Sequence, residues 1–158
     1  MSDQSVDRGV TLLAQISNEI VHAQKEYWGK GPDGAKSYMF DDMLFVVMRG
    51  GLTTAENSML EFGEADLVRQ YRQTFENRMT AKMTGIIEQL TGRTVLTYQS
   101  QIMFDPTRVV EMFVFDDTAS DHARAATAEG EASDGLIGEA TVDLAGSERG
   151  DLRPGPGG

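Results

Sequence analysis

The chain has 158 residues, 40% of them apolar, which is the size of one domain with a sizeable core. Its net charge of -11 excludes the phosphate-neutralising surface that nucleic acid requires and disfavours anionic lipid. With no cysteine there is no disulfide framework, thiolate metal site or thiol nucleophile. The charge is uneven: residues 1 to 117 carry 11 Lys/Arg and 17 Asp/Glu, and residues 118 to 158 carry 3 and 8. Met1 to Val10 is polar, without the cationic and apolar regions of an export signal. The longest apolar run, Met43 to Met48, is far short of the roughly 20 residues that span a bilayer. A cytoplasmic protein is expected.

From Val10, the residues Leu13, Ile16, Ile20 and Tyr27 recur near helical spacing and predict an amphipathic helix ended by Gly29, with Pro32 preventing its resumption. Ala35 to Phe40 and Met43 to Met48 read as a hairpin turning at Asp41-Asp42. Gly50-Gly51 closes the second strand. Thr53-Thr54-Ala55-Glu56 has the spacing of a capping box and predicts a short helix to about Leu60. After Gly63, the series Leu67, Val68, Tyr71, Phe75, Met79, Met83, Ile86, Ile87 and Leu90 predicts a helix of about seven turns. Arg69, Arg72, Glu76, Arg78 and Lys82 between them read as its solvated face. Arg93 to Met103 and Arg108 to Phe115 form a second hairpin turning through Asp105-Pro106-Thr107.

A helix, a glycine and two strands thus occur twice, with Met39-Phe40-Asp41 in one copy and Met103-Phe104-Asp105 in the other. The expected fold is α+β, two helix-strand-strand units forming a four-stranded antiparallel sheet packed by two long helices. Residues 1–117 make the domain. Residues 118–158, acidic and rich in Gly and Ala, read as a mostly disordered tail. The strands Met43–Met48 and Val109–Phe115 are apolar at nearly every position, so both sheet faces are apolar. If both helices lie on one side, a second copy covering the other makes a homodimer. If the helices straddle the sheet, one per face, a monomer explains the same runs.

The candidate chemistry is sparse. Gly29-Lys30-Gly31-Pro32-Asp33-Gly34 follows a helix and has proline where an anion-binding loop needs a donor, so it reads as a helix cap and turn. Asp33, Asp41, Asp42, Glu56 and Asp105 could supply oxygens to a hard cation, but their spacing matches no coordination loop. His22 has no second histidine four residues away, and His122 lies in the tail. Trp28 beside Tyr27 reads as an anchor of the first helix on the sheet, with stacking on a ligand as the other option. No catalytic residue, cofactor or metal site is expected.

Ile16-Ser17-Asn18-Glu19-Ile20, Gly29-Lys30-Gly31-Pro32, Asp41-Asp42, Leu52-Thr53-Thr54-Ala55-Glu56, Leu67-Val68-Arg69 with Arg72, and Leu90-Thr91-Gly92-Arg93 follow one another in an order and spacing that resembles the MpsC-like family. The resemblance covers about residues 10 to 116. It implies a non-catalytic accessory of a Na+-translocating, membrane-potential-generating system linked to inorganic carbon uptake, in which a membrane subunit and a large soluble subunit carry the transport. The implied partners are those subunits, and the implied place is the inner face of the cell membrane, reached through a protein partner rather than by insertion. Trp28, Gly29, Lys30, Gly31, Pro32, Thr53 and Glu56 are the candidate contact residues, because short loops joining sheet and helices commonly carry function. The alternative is a stand-alone, homodimeric small-ligand-binding or signalling module whose two halves enclose a pocket. An enzyme using the aspartates with a divalent ion is a third reading.

Overall fold

The computed structural model describes residues 3–116 and 136–143. Helix α1 (Asp3–Trp28) leads into strands β1 (Gly34–Phe40) and β2 (Met43–Arg49). Helices α2 (Thr54–Glu61) and α3 (Ala65–Thr91) follow, then β3 (Val95–Met103), β4 (Arg108–Phe115) and β5 (Leu136–Asp143). The two helix-strand-strand units are α1-β1-β2 and α3-β3-β4, as the recurrent sequence pattern predicts. They join at the centre of an antiparallel sheet of order β3-β4-β2-β1-β5, where β2 pairs with β4 from Met43↔Val114 to Arg49↔Arg108.

The first helix starts earlier than its apolar period announces, at Asp3. It stops where glycine allows it to: Gly29 takes φ 72° and its N–H donates to the Lys25 carbonyl. Helix α2 opens with both halves of the capping box in place at Thr53 and Glu56. The fifth strand comes from the stretch that composition assigns to a disordered tail. Its ladder with β1 runs from Gly34↔Asp143 to Phe40↔Leu136. The remainder of residues 118–158 lies outside the described residues.

Strand parity decides which side chains meet the helices. Ala35, Ser37 and Met39 of β1, Leu44, Val46 and Met48 of β2, Tyr98, Ser100 and Ile102 of β3, and Val109, Glu111, Phe113 and Phe115 of β4 are all buried. Leu13, Ile16, Ile20 and Val21 of α1 and Val68, Met79, Met83 and Ile87 of α3 complete that core. Both long helices lie on this side: Ser17 of α1 bonds Ser37, Gln24 of α1 bonds Glu111, and α3 packs on α1 and β3. The arrangement with one helix on each face is therefore excluded.

The alternate residues Tyr38, Phe45, Val47, Val110, Met112 and Val114 point to the other side and are half-buried. Cross-strand neighbours account for that partial cover, as in the pairs Tyr38↔Phe45, Phe45↔Met112 and Val47↔Val110. Among the described residues, no helix covers this outer face.

Candidate functional site

Two loops predicted to carry function lie against each other at one end of the sheet. Asp33 N–H donates to the Arg49 carbonyl, which brings the turn after α1 beside the turn after β2. The approach requires glycine. A Cβ on Gly50, which sits at φ 66°, would come within 2.1 Å of Asp33 Oδ2, and one on Gly51 within 3.1 Å of Pro32 Cα.

Arg72 of α3 ties these loops to the helices. Its Nε donates to Glu56 Oε1 at 2.6 Å, and its Nη2 donates to Glu56 Oε2 and to the Gly51 carbonyl, both at 3.0 Å. Thr53 N–H donates to Glu56 Oε2 at 2.8 Å, so one carboxylate serves both the helix cap and the ion pair. The guanidinium also lies 4.6 Å from the centre of the Trp28 ring. Glu56 and Arg72 are 0% and 3% exposed, which makes this a fully interior pair. Burial pushes the Glu56 carboxyl up, but the Arg72 guanidinium and the Thr53 donors outweigh it and hold the group below the usual carboxylate range.

The solvated-face reading of α3 therefore holds for Arg69 and Arg78, which are exposed, and fails at Arg72 and Glu76, which are buried. Both belong to the buried series Val68, Arg72, Glu76, Met79, Met83 and Ile87, whose steps of three and four keep one face of the helix on the sheet. Trp28 also reaches α3. It packs against Tyr71 and Phe75 of α3, with ring centroids 5.8 and 5.0 Å away, and lines a cleft with Met48 and Val109 of the sheet.

Of the candidate contact residues, Gly29 and Lys30 are exposed, Gly31 and Thr53 are partly buried, and Trp28, Pro32 and Glu56 are buried. The structure brings them into one region but leaves Lys30 and its glycine neighbours as the part open to a partner. A shallow cleft opens there, lined by Gln24, Trp28, Lys30, Pro32, Gly51 and Arg72 among others, with about 220 Å³ of space including its open mouth. Only about 10 Å³ of it is enclosed enough to take the centre of a water-sized sphere, roughly room for one water, so this cleft is too small for a metabolite.

A second polar cluster, missed from sequence, sits behind the cleft. Glu111, completely buried in β4, accepts from Gln24 Nε2 at 2.7 Å and from the Tyr98 hydroxyl. Burial pushes the Glu111 carboxyl up to about 7, with the Glu76 charge adding to the rise and the Tyr98 and Gln24 donors opposing it. Burial likewise raises Glu76, and burial together with the Glu111 charge raises the Tyr98 phenol. Two oxygens in this region, Glu76 Oε1 and Ser100 Oγ, are buried without a hydrogen-bond partner. A signal did exist for Glu111: it is the one charged residue between Val109 and Phe115, at the parity of Phe113 and Phe115. Glu111, Glu76, Ser100 and Tyr98 are all buried, so the setting of this network is that of a core.

Asp33, Asp41, Asp42, Glu56 and Asp105 are not gathered into one site. Among the described residues no three His, Cys, Asp or Glu side chains are placed to hold a metal ion. Asp41 and Asp105 instead occupy positive-φ turn positions, at 47° and 55°. His22 is exposed on α1. No described helix is long and apolar enough to cross a membrane.

No curated protein and no solved structure matches the chain. Residues 10–117, two thirds of the chain and nearly all of the two helix-strand-strand units, match the family model of the Na+-translocating membrane potential-generating system (MpsC), and the chain belongs to that family.

Proposed function

We propose that this protein is a non-catalytic, cytoplasmic accessory of a cation-translocating membrane complex, docking on its membrane subunit or on a large soluble subunit and bringing itself to the inner face of the membrane through that partner. The observation that carries this reading is the family match over residues 10–117. The interior placement of the ionisable groups supports a non-catalytic role, because Glu56 and Arg72 are spent on each other, Glu111 is held by Gln24 and Tyr98, and Glu76 is buried beside them. The contact surface is the exposed tip around Lys30, held in shape by Gly50, Gly51 and the Glu56–Arg72 pair. The protein acts as a homodimer, its outer sheet face covered by a second copy, since Tyr38, Phe45, Val47, Val110 and Met112 form, beside Lys36, a largely apolar surface over which no described helix lies.

Affinity purification of the tagged protein from gently solubilised cells tests the docking. Recovery of a multi-spanning transport subunit or its soluble companion, reduced by Lys30→Ala, is the expected result. Recovery of the protein alone would overturn the reading. Lys30→Ala suits the test because Lys30 is exposed and outside the core, whereas Trp28→Ala would unseat α1.

A further inference from the structure

The sheet has two edges, and they differ. The β1 side is closed by β5, whose sequence carries Glu139 and Asp143. At the opposite end β3 pairs with β4 on one side, and among the described residues no strand lies along its other side. Proteins usually protect such an edge with charge, proline or a very short strand. This one has none of these: Val95-Leu96-Thr97-Tyr98-Gln99-Ser100-Gln101-Ile102-Met103 is nine residues long, uncharged and free of proline. Its solvent-side residues Thr97, Gln99, Gln101 and Met103 are exposed, and the bulge between Val95 and Thr97 lies at one end, away from the centre.

We propose that the β3 edge is a self-association surface, on which β3 of a second copy adds antiparallel about a two-fold axis at Gln99. The sequence along the strand argues for a second copy rather than for another protein. Gln99 is the middle residue of the nine, so an axis there sets Gln99 against its own counterpart, Thr97 against Gln101 and Val95 against Met103. No like charges oppose one another, in a chain whose net charge is -11 and which repels itself elsewhere. Continued beyond the strand, the same register brings Arg93 level with Asp105 of the second copy, at both ends of the junction. A patch that is uncharged in its centre and oppositely charged at its symmetry-related ends is self-complementary, as an isologous contact requires. Such a two-fold runs perpendicular to the sheet. Both copies then keep their helices on one side, and their outer apolar faces join into one surface. The contact is independent of the face-to-face dimer above.

The chain has no cysteine, so Gln99→Cys introduces a single thiol. Mild oxidation of that variant is expected to give a disulfide-linked dimer. In parallel, Thr97, Gln99 and Gln101 are changed together to Lys in one protein and to Glu in another. All three are exposed, so folding, checked by circular dichroism, is expected to survive. Three like-charge pairs across the axis weaken self-association of each variant about tenfold, measured by sedimentation, and mixing the Lys and Glu forms restores it as a heterodimer. The proposal is overturned if the cysteine variant stays monomeric on oxidation, or if both charged variants associate as the parent does. Phe45→Lys separates the two contacts. If it dissolves the assembly while the edge variants leave it intact, the face-to-face contact stands and the edge proposal falls. The reverse pattern supports the edge and removes the face-to-face contact.

Discussion

The two faces of the sheet invert the usual placement of charge. The helix-covered side buries Glu56, Arg72, Glu76 and Glu111, while the other face, over which no described helix lies, carries Tyr38, Phe45, Val47, Val110, Met112 and Val114 beside Lys36. An interior normally excludes ionised groups unless they are paired, and a monomer's surface normally breaks up apolar patches. Inside, Arg72 and Thr53 hold Glu56, and Gln24 and Tyr98 hold Glu111, which ties α1 and α3 to the elements around them. The outer residues pack on their neighbours in the strands, and among the described residues no helix lies over them.

The inner face is broken most severely at Arg72. Arg72→Met removes three hydrogen bonds and leaves Glu56 buried without its cation, at an expected loss of about 3–5 kcal/mol in denaturant unfolding. A loss below about 1 kcal/mol would show that the loops do not depend on this pair.

The next largest effect depends on pH. Folded Glu111 keeps its proton up to about 7, whereas the unfolded chain releases it near 4.5, the ordinary value for a glutamate. Protonation therefore favours the fold below about pH 4.5, and that advantage is lost as pH rises through 7, by up to about 3 kcal/mol. Glu56 runs in the opposite direction. Its folded carboxyl sits below the usual range, so its contribution is present above that range and disappears as pH falls through the folded value. Stability is expected to peak in mildly acidic solution, near pH 5. Glu111→Gln, which keeps the shape and removes the ionisation, is expected to flatten the decline between pH 5 and 8, as read from unfolding midpoints. An unchanged decline would place its origin elsewhere.

Smaller again is the helix cap. Thr53→Ala removes the hydroxyl that receives the Glu56 N–H and is expected to lower stability by about 1 kcal/mol. The surface pair of Lys82 with Glu26 marks the lower limit: Lys82→Ala is expected to leave the unfolding midpoint unchanged within error, because an exposed pair gains little over water.

What could be read from the chain follows from range. The capping box, the glycine stop at Gly29, the Asp41-Asp42 turn and the repeated helix-strand-strand order are set by residues a few positions apart, and all were legible. Arg72 and Glu76 were not. Spacing of three and four identifies a helix face, but it does not say which charged residue flanking an apolar stripe has a partner waiting inside. The partners of Arg72 are Glu56 and Gly51, 16 and 21 residues away, and the partner of Gln24 is Glu111, 87 residues away. Nothing local announces such pairs. Strand β5 escaped for another reason: Leu136 to Asp143 is poor in aromatics and bulky residues, and its place is set by backbone pairing along β1. The apolar character of both sheet faces was legible, and only the position of both helices on one side made the outer face a surface.

The claim that the outer face is a working surface is tested most directly by light scattering on the wild type and on a Phe45→Lys, Met112→Lys variant, whose two sites are cross-strand neighbours on that face. The variant is expected to keep its helical signal and unfolding midpoint but to fall to a lower mass than the wild type, retaining at most the β3-edge contact. A wild type already at the mass of a single chain, or a variant that assembles as the wild type does, would contradict this.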